Sequence, residues 1–221
     1  MATSLAGLDR EAIGALVAEL GEPSYRAGQL FDWVQKKSAP DYASMTNLPK
    51  AMRAKLGERI PVRGSSIRQR HPSDDGTVKL LLDLHDGETV ECVLIPEGDR
   101  RTACISTQVG CGVGCVFCAS GADGVIRNLD AGEIVEQVHW LQDEAGDRLT
   151  NIVVMGMGEP LHNVGALVAG LQLLQHPDGI DLGSRRITVS TSGPSRGFAE
   201  FLDSGSKVKL AISLHAAVDR L

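Results

Sequence analysis

The chain has 221 residues, 43% hydrophobic and 23% charged, enough apolar material for one or two packed domains and too much for a disordered chain. No run approaches the roughly 18 apolar residues of a membrane span. The opening MATSLAGLDREAI lacks the basic region and apolar core of a signal peptide. A cytoplasmic protein without membrane attachment is expected, its five cysteines read as thiols or metal ligands rather than disulfides. The net charge of −6 is unevenly spread: residues 1–70 hold eleven Lys and Arg against seven Asp and Glu, the remainder eleven against twenty-one. That division suits a polyanion-binding module joined to a catalytic one, and equally a solvated helical surface with extra lysines.

Residues 9–58 predict helices. Ile13, Leu16, Val17 and Leu20 repeat at helical spacing before Gly21, and Ala27, Leu30, Phe31 and Val34 do so over Tyr25–Lys37. Asn47 and Pro49 open a third helix carrying Met52 and Leu56. Two alternating runs, Thr77–Leu84 and Thr89–Ile95, flank HDGE and predict a hairpin. From about Thr102 the rhythm becomes strand, turn, helix. Strands are expected at Ala103–Ser106, Asn151–Met155, Arg186–Ser190 and Val208–Leu214, with helices at Ala131–Glu144 (Asp130 as cap), Val164–Leu174 and Arg196–Asp203. Repeated βα units with apolar strands predict an α/β fold with a parallel sheet, open or curled into a barrel.

Cys111, Cys115 and Cys118 form C-x3-C-x2-C within GCGVGCVFCASG. Close-spaced thiolates can converge on one metal centre, and the glycines let the backbone wrap it. A structural zinc wants four ligands, with His139 or His162 as candidates for the fourth, whereas a four-iron cluster on three thiolates leaves one iron open. The spacing alone leaves a cluster, a zinc site and incidental buried cysteines all standing. Downstream, TNIVVMGMGEPLHN runs a buried strand into a glycine turn presenting Glu159, and ITVSTSG and LAISLHA end in Ser190, Ser213 and His215. Carboxyl ends of parallel strands are where α/β proteins bind ligands.

Taken together, CxxxCxFC, GMGEP, ITVSTSG and LAISLHA resemble the radical S-adenosylmethionine (SAM) adenine-C2 RNA methyltransferases. The likeness extends through YRAGQLFDWVQKK, MTNLPKAMRAKL and ETVECVLIPEGDRRTACISTQVGC, nearly the whole chain. The resemblance implies a helical RNA-binding accessory domain over 1–62, a β-hairpin linker region over 63–101, and the first part of a partial (βα) radical-SAM barrel over 102–221. It implies that Cys111, Cys115 and Cys118 ligate a [4Fe-4S] cluster with Phe117 beside it, whose open iron chelates SAM. Gly158 and Glu159 would hold the methionine part, and Ser190, Ser213, Leu214 and His215 would line the rest. Glu91 matches the family's proton acceptor and Cys104 its resolving cysteine, though a strand cysteine is ordinarily core. Cys92 matches no catalytic position and reads as core. Lys36, Lys37, Lys50, Arg53 and Lys55 would contact phosphate.

The family's reaction methylates adenine C2 in rRNA and tRNA. One SAM methylates a late cysteine, and a second is reductively cleaved to a radical that activates that methyl group. An electron donor such as flavodoxin and a monomeric state are implied. No cysteine follows Cys118 and only about four barrel strands are present, so the resemblance implies a fragment or shortened frame. The expectation is that this piece alone binds a cluster poorly and does not methylate RNA, with Val208–Leu214 as an apolar edge strand. Two other readings are a radical-SAM enzyme of a different reaction type and a non-enzymatic zinc or RNA-binding module.

Overall fold

The structure is a computed structural model and describes residues 3–214 together with 217 and 218. The N-terminal part is helical for the reasons the sequence supplies. In α1 (Arg10–Glu19), the Asp9 side chain caps the helix by accepting the Ala12 N–H at 2.8 Å, Ile13 and Val17 face inward, and Gly21 closes the turn at φ 72°. α2 (Tyr25–Phe31) runs into a π-helical turn, Asp32–Lys36, and α3 (Lys50–Gly57) buries Met52 and Leu56.

One seven-stranded mixed sheet follows, in the order β1-β2-β3-β4-β7-β8-β9. β1 (Ser66–Pro72), β2 (Val78–Asp83), β3 (Thr89–Glu97) and β4 (Arg100–Ile105) are antiparallel neighbours. β4, β7 (Asn151–Val154), β8 (Ile187–Thr191) and β9 (Lys209–Ile212) run parallel. The hairpin is therefore continuous with the parallel strands through the β3–β4 pairing. β1 was not foreseen, because SIRQRHP has no apolar alternation and every residue of the strand is exposed.

Crossovers through α4 (Ala131–Ala145), α5 (Val164–Gln175) and α6 (Ser195–Asp203) make three successive βα units. α4 packs on β3 and β4, and α5 packs on α4. The first crossover also holds a short two-stranded ribbon, β5 (Gln108–Gly110) with β6 (Val125–Asn128). Among the described residues, no helix is long and apolar enough to cross a membrane.

Strand alternation divides the sheet's two faces. Val90, Cys92, Leu94, Ala103, Ile105, Ile152, Val154, Ile187 and Val189 form the buried face, so Cys92 is core as expected. The opposite face is half open. Along it the register aligns Glu91 of β3 with Ser106 just past β4, Met155 just past β7, and Ser190 of β8, while Cys104 sits one row back, paired with Val93.

The helical part is fastened to α4 through Glu136, which is fully buried. Its carboxylate accepts the Gly64 and Ser65 N–H groups at 2.8 and 2.9 Å and the hydroxyls of Ser4 and Ser65. Arg63 reinforces this seam by pairing with Asp143 at 2.7 Å and stacking 4.3 Å from the Trp140 ring.

Candidate functional site

The cysteine loop is the excursion between β5 and β6. Its base is a clasp: the Cys111 N–H donates to the Gly124 carbonyl at 2.9 Å, and a Cβ on Gly110 would lie 2.1 Å from that oxygen. Only glycine fits there, and its φ of 74° is itself left-handed. Gly114 takes φ 70° between Cys111 and Cys115. Cys111 and Cys115 are half-buried, Cys118 and Phe117 are exposed, and none of the five cysteines is in a disulfide.

Three soft thiol donors in one wrapped, solvent-reachable loop fit an iron–sulfur centre by donor chemistry. Among the described residues no three His, Cys, Asp or Glu side chains are gathered at metal-ligand spacing. His139 is buried in α4, where the Arg63 charge acts on its imidazole, and so faces the seam with the helical part. His162 lies on the turn after the glycine motif, where its carbonyl accepts from Asn128.

The GMGEP turn is pressed against the strand leading into the loop. A Cβ on Gly156 would meet Ser106 Oγ at 2.4 Å, and one on Gly158 (φ 100°) would meet Gln108 Cβ at 2.7 Å. Ser106 ties neighbouring strands together here: its hydroxyl donates to the Glu91 carbonyl at 2.6 Å and accepts the Met157 N–H at 2.8 Å.

Glu159 is only 3% exposed, and its carboxylate is fully occupied. It accepts the Leu161 N–H at 3.0 Å, the Thr191 hydroxyl at 2.5 Å, and the Ser192 N–H and hydroxyl both at 2.8 Å. The side chain thus ties the ends of β7 and β8 together. Ser190 Oγ and Ser213 Oγ stand 3.3 Å apart at adjacent strand ends. Leu214 is exposed, and His215 lies outside the described residues.

On the open face Glu91 and Cys104 are diagonal neighbours across the β3–β4 pair, since Cys104 is opposite Val93. Lys79, not singled out from sequence, pairs with Glu91 at 2.8 Å. Burial pushes the Cys104 thiol up, so it holds its proton near neutrality. Of the basic residues expected to face phosphate, Lys36, Lys50 and Lys55 are exposed, but Lys37 pairs with Asp32 at 2.7 Å and lies 4.0 Å from the Trp33 ring centre. Arg53 donates its Nη1 to the Tyr42 and Ala43 carbonyls at 3.2 and 2.9 Å.

A cysteine loop after the first parallel strand, a glycine turn after the second and hydroxyls at the third and fourth define the class. The chain belongs to the radical SAM superfamily, to which residues 105–221 match, and members of that superfamily use a [4Fe-4S] cluster and SAM. Residues 3–62 match the ribosomal RNA large subunit methyltransferase N-terminal domain. The chain is 48% identical over 219 residues to the dual-specificity RNA methyltransferase RlmN of Solidesulfovibrio magneticus, covering 97% of this chain and 62% of that protein. It is 44% identical over 209 residues to the probable dual-specificity RNA methyltransferase RlmN of Geobacillus kaustophilus, covering 93% and 57%. A crystal structure of a radical SAM methyltransferase from Sphaerobacter thermophilus superposes with TM-score 0.92 at 44% identity, covering 97% of this chain and 64% of that one. The chain thus spans about three fifths of the length of these relatives.

Proposed function

We propose that this chain carries the cluster- and SAM-binding part of an RNA methyltransferase acting at adenine C2 of rRNA and tRNA. The carrying observation is the direct packing of the cysteine loop's entry strand on the glycine turn, Gln108 against Gly158. That contact sets the strand that leads into the cysteine loop directly against a close-approach backbone turn.

Cys111, Cys115 and Cys118 would hold the cluster, which when bound supplies the electron that cleaves SAM. The chain's own residues do the remainder. Gly158 leaves backbone bare for the methionine end, while Glu159 fixes the Thr191–Ser192 turn, and with it the β8 end that presents Ser190. Ser190 and Ser213 offer hydroxyls at the neighbouring rim. Glu91, steadied by Lys79, stands ready to take a proton on the same face where Cys104 keeps its own. The helical residues Lys36, Lys50 and Lys55 would meet the RNA backbone, an interaction that weakens steeply with salt.

The test is an anaerobic incubation of the iron-reconstituted chain with dithionite and SAM. Formation of 5′-deoxyadenosine supports the reading; a zinc-loaded protein that leaves SAM intact overturns it.

A further inference from the structure

The cysteine loop and the glycine turn are joined by a chain of amides that neither motif includes. Gln108 is 2% exposed and starts β5. Its Oε1 accepts the Glu159 N–H at 2.8 Å, and its Nε2 donates to Asn128 Oδ1 at 2.7 Å. Asn128 closes β6 opposite Gln108 and donates its Nδ2 to the His162 carbonyl at 3.3 Å. The directions are mutually enforced: a backbone N–H can only donate, so Oε1 must face Glu159, Nε2 must face Asn128, and Asn128 must turn its amide hydrogens to His162. A second brace is Asn163, whose Nδ2 donates to the carbonyls of Thr107 at 2.9 Å and Leu129 at 2.7 Å, one residue outside each end of the ribbon.

Both ends of the cysteine excursion are thus hung on residues 159–163. Resting on the cofactor reading above, we infer that Gln108 and Asn128 are positioning residues, coupling the cluster loop to the methionine-binding turn so that the two open and close as one unit. A site whose ligand bridges a metal corner and a backbone turn needs their separation held to a fraction of an ångström, and misplacement of about 1 Å costs on the order of a hundredfold.

Hydrogen exchange on the metal-free chain tests this directly. In Gln108→Leu, segments 109–128 and 156–163 should both exchange about tenfold faster while β2 and β3 keep their protection. Asn128→Leu should give the same pattern. Gln108→Glu keeps an acceptor for the Glu159 N–H but has no donor for Asn128, whose flipped amide would set its oxygen against the His162 carbonyl, so it should not restore the protection. After anaerobic reconstitution, equilibrium dialysis with SAM should show about tenfold weaker binding by Gln108→Leu at unchanged iron content. Independent opening of the two segments, or SAM affinity that falls only with lost iron, would overturn the inference. Wild-type protein that takes up no iron would defeat the cofactor reading instead, and the exchange result would still decide the coupling.

Discussion

The Glu159 carboxylate and the Thr191 hydroxyl meet at 2.5 Å, joining the ends of two parallel strands through a buried acid. Each carboxylate oxygen also faces a backbone N–H, Leu161 on one side and Ser192 on the other. Hydroxyls can turn round to accept, but a backbone N–H cannot. Glu159→Gln therefore sets an amide NH2 against a donor in either orientation and should cost about 1–3 kcal/mol. A fall in the urea midpoint, with faster exchange over 191–193, is the expected result; an unchanged midpoint would mean that the acid does not hold these strand ends.

Gly110→Ala should damage the cysteine loop and spare the sheet. Its methyl would lie 2.1 Å from the Gly124 carbonyl at a left-handed φ, so the clasp has to open. Limited proteolysis should cut within residues 111–124 faster than in wild type, while the circular dichroism spectrum stays the same.

The five thiols should fall into two classes toward iodoacetamide in the metal-free chain. Cys118 is exposed and Cys111 and Cys115 are half-buried, whereas Cys92 is 1% exposed and burial pushes its thiol far up; Cys104 is raised in the same direction. Mass mapping at pH 7.5 should find the three loop cysteines alkylated well before Cys104, and Cys92 last. Early labelling of Cys92 would contradict the sheet's assignment of faces.

His139 predicts the acid limb of stability. Complete burial, then the Arg63 charge, depress its imidazole to about 3, and its Nε2 has no hydrogen-bond partner among the described residues. The unfolded chain binds this proton near pH 6.5, so the folded state loses stability as pH falls from there toward 3, by about 1.4 kcal/mol per pH unit. His139→Leu should flatten the dependence of the urea midpoint between pH 6 and 4.5; an unaltered slope would remove His139 as the cause.

The βα rhythm, the Asp130 cap and the burial of Cys92 were all legible, because each rests on local pattern: strand alternation, helical period, a capping residue before an apolar run. What was not legible depends on tertiary partners. β1 has no apolar face to betray it, and Arg53 looks like a surface cation until the Tyr42 and Ala43 carbonyls are seen to claim it. Glu159 follows a glycine turn that suggests exposure, whereas the hydroxyls and N–H groups of a neighbouring strand end turn its carboxylate inward. Gln108 and Asn128 carry no motif at all; only the β5–β6 register brings them opposite each other.

The account stands on the three loop thiols acting as one ligand set. Anaerobic reconstitution with iron and sulfide, followed by colorimetric analysis of the wild-type chain and of the Cys111→Ala, Cys115→Ala, Cys118→Ala triple variant, tests this most directly. Iron and acid-labile sulfide should be retained in equal amounts by wild type, at less than one full cluster per chain, and lost from the variant. Equal metal in both proteins, or a preference for zinc without sulfide, would contradict it.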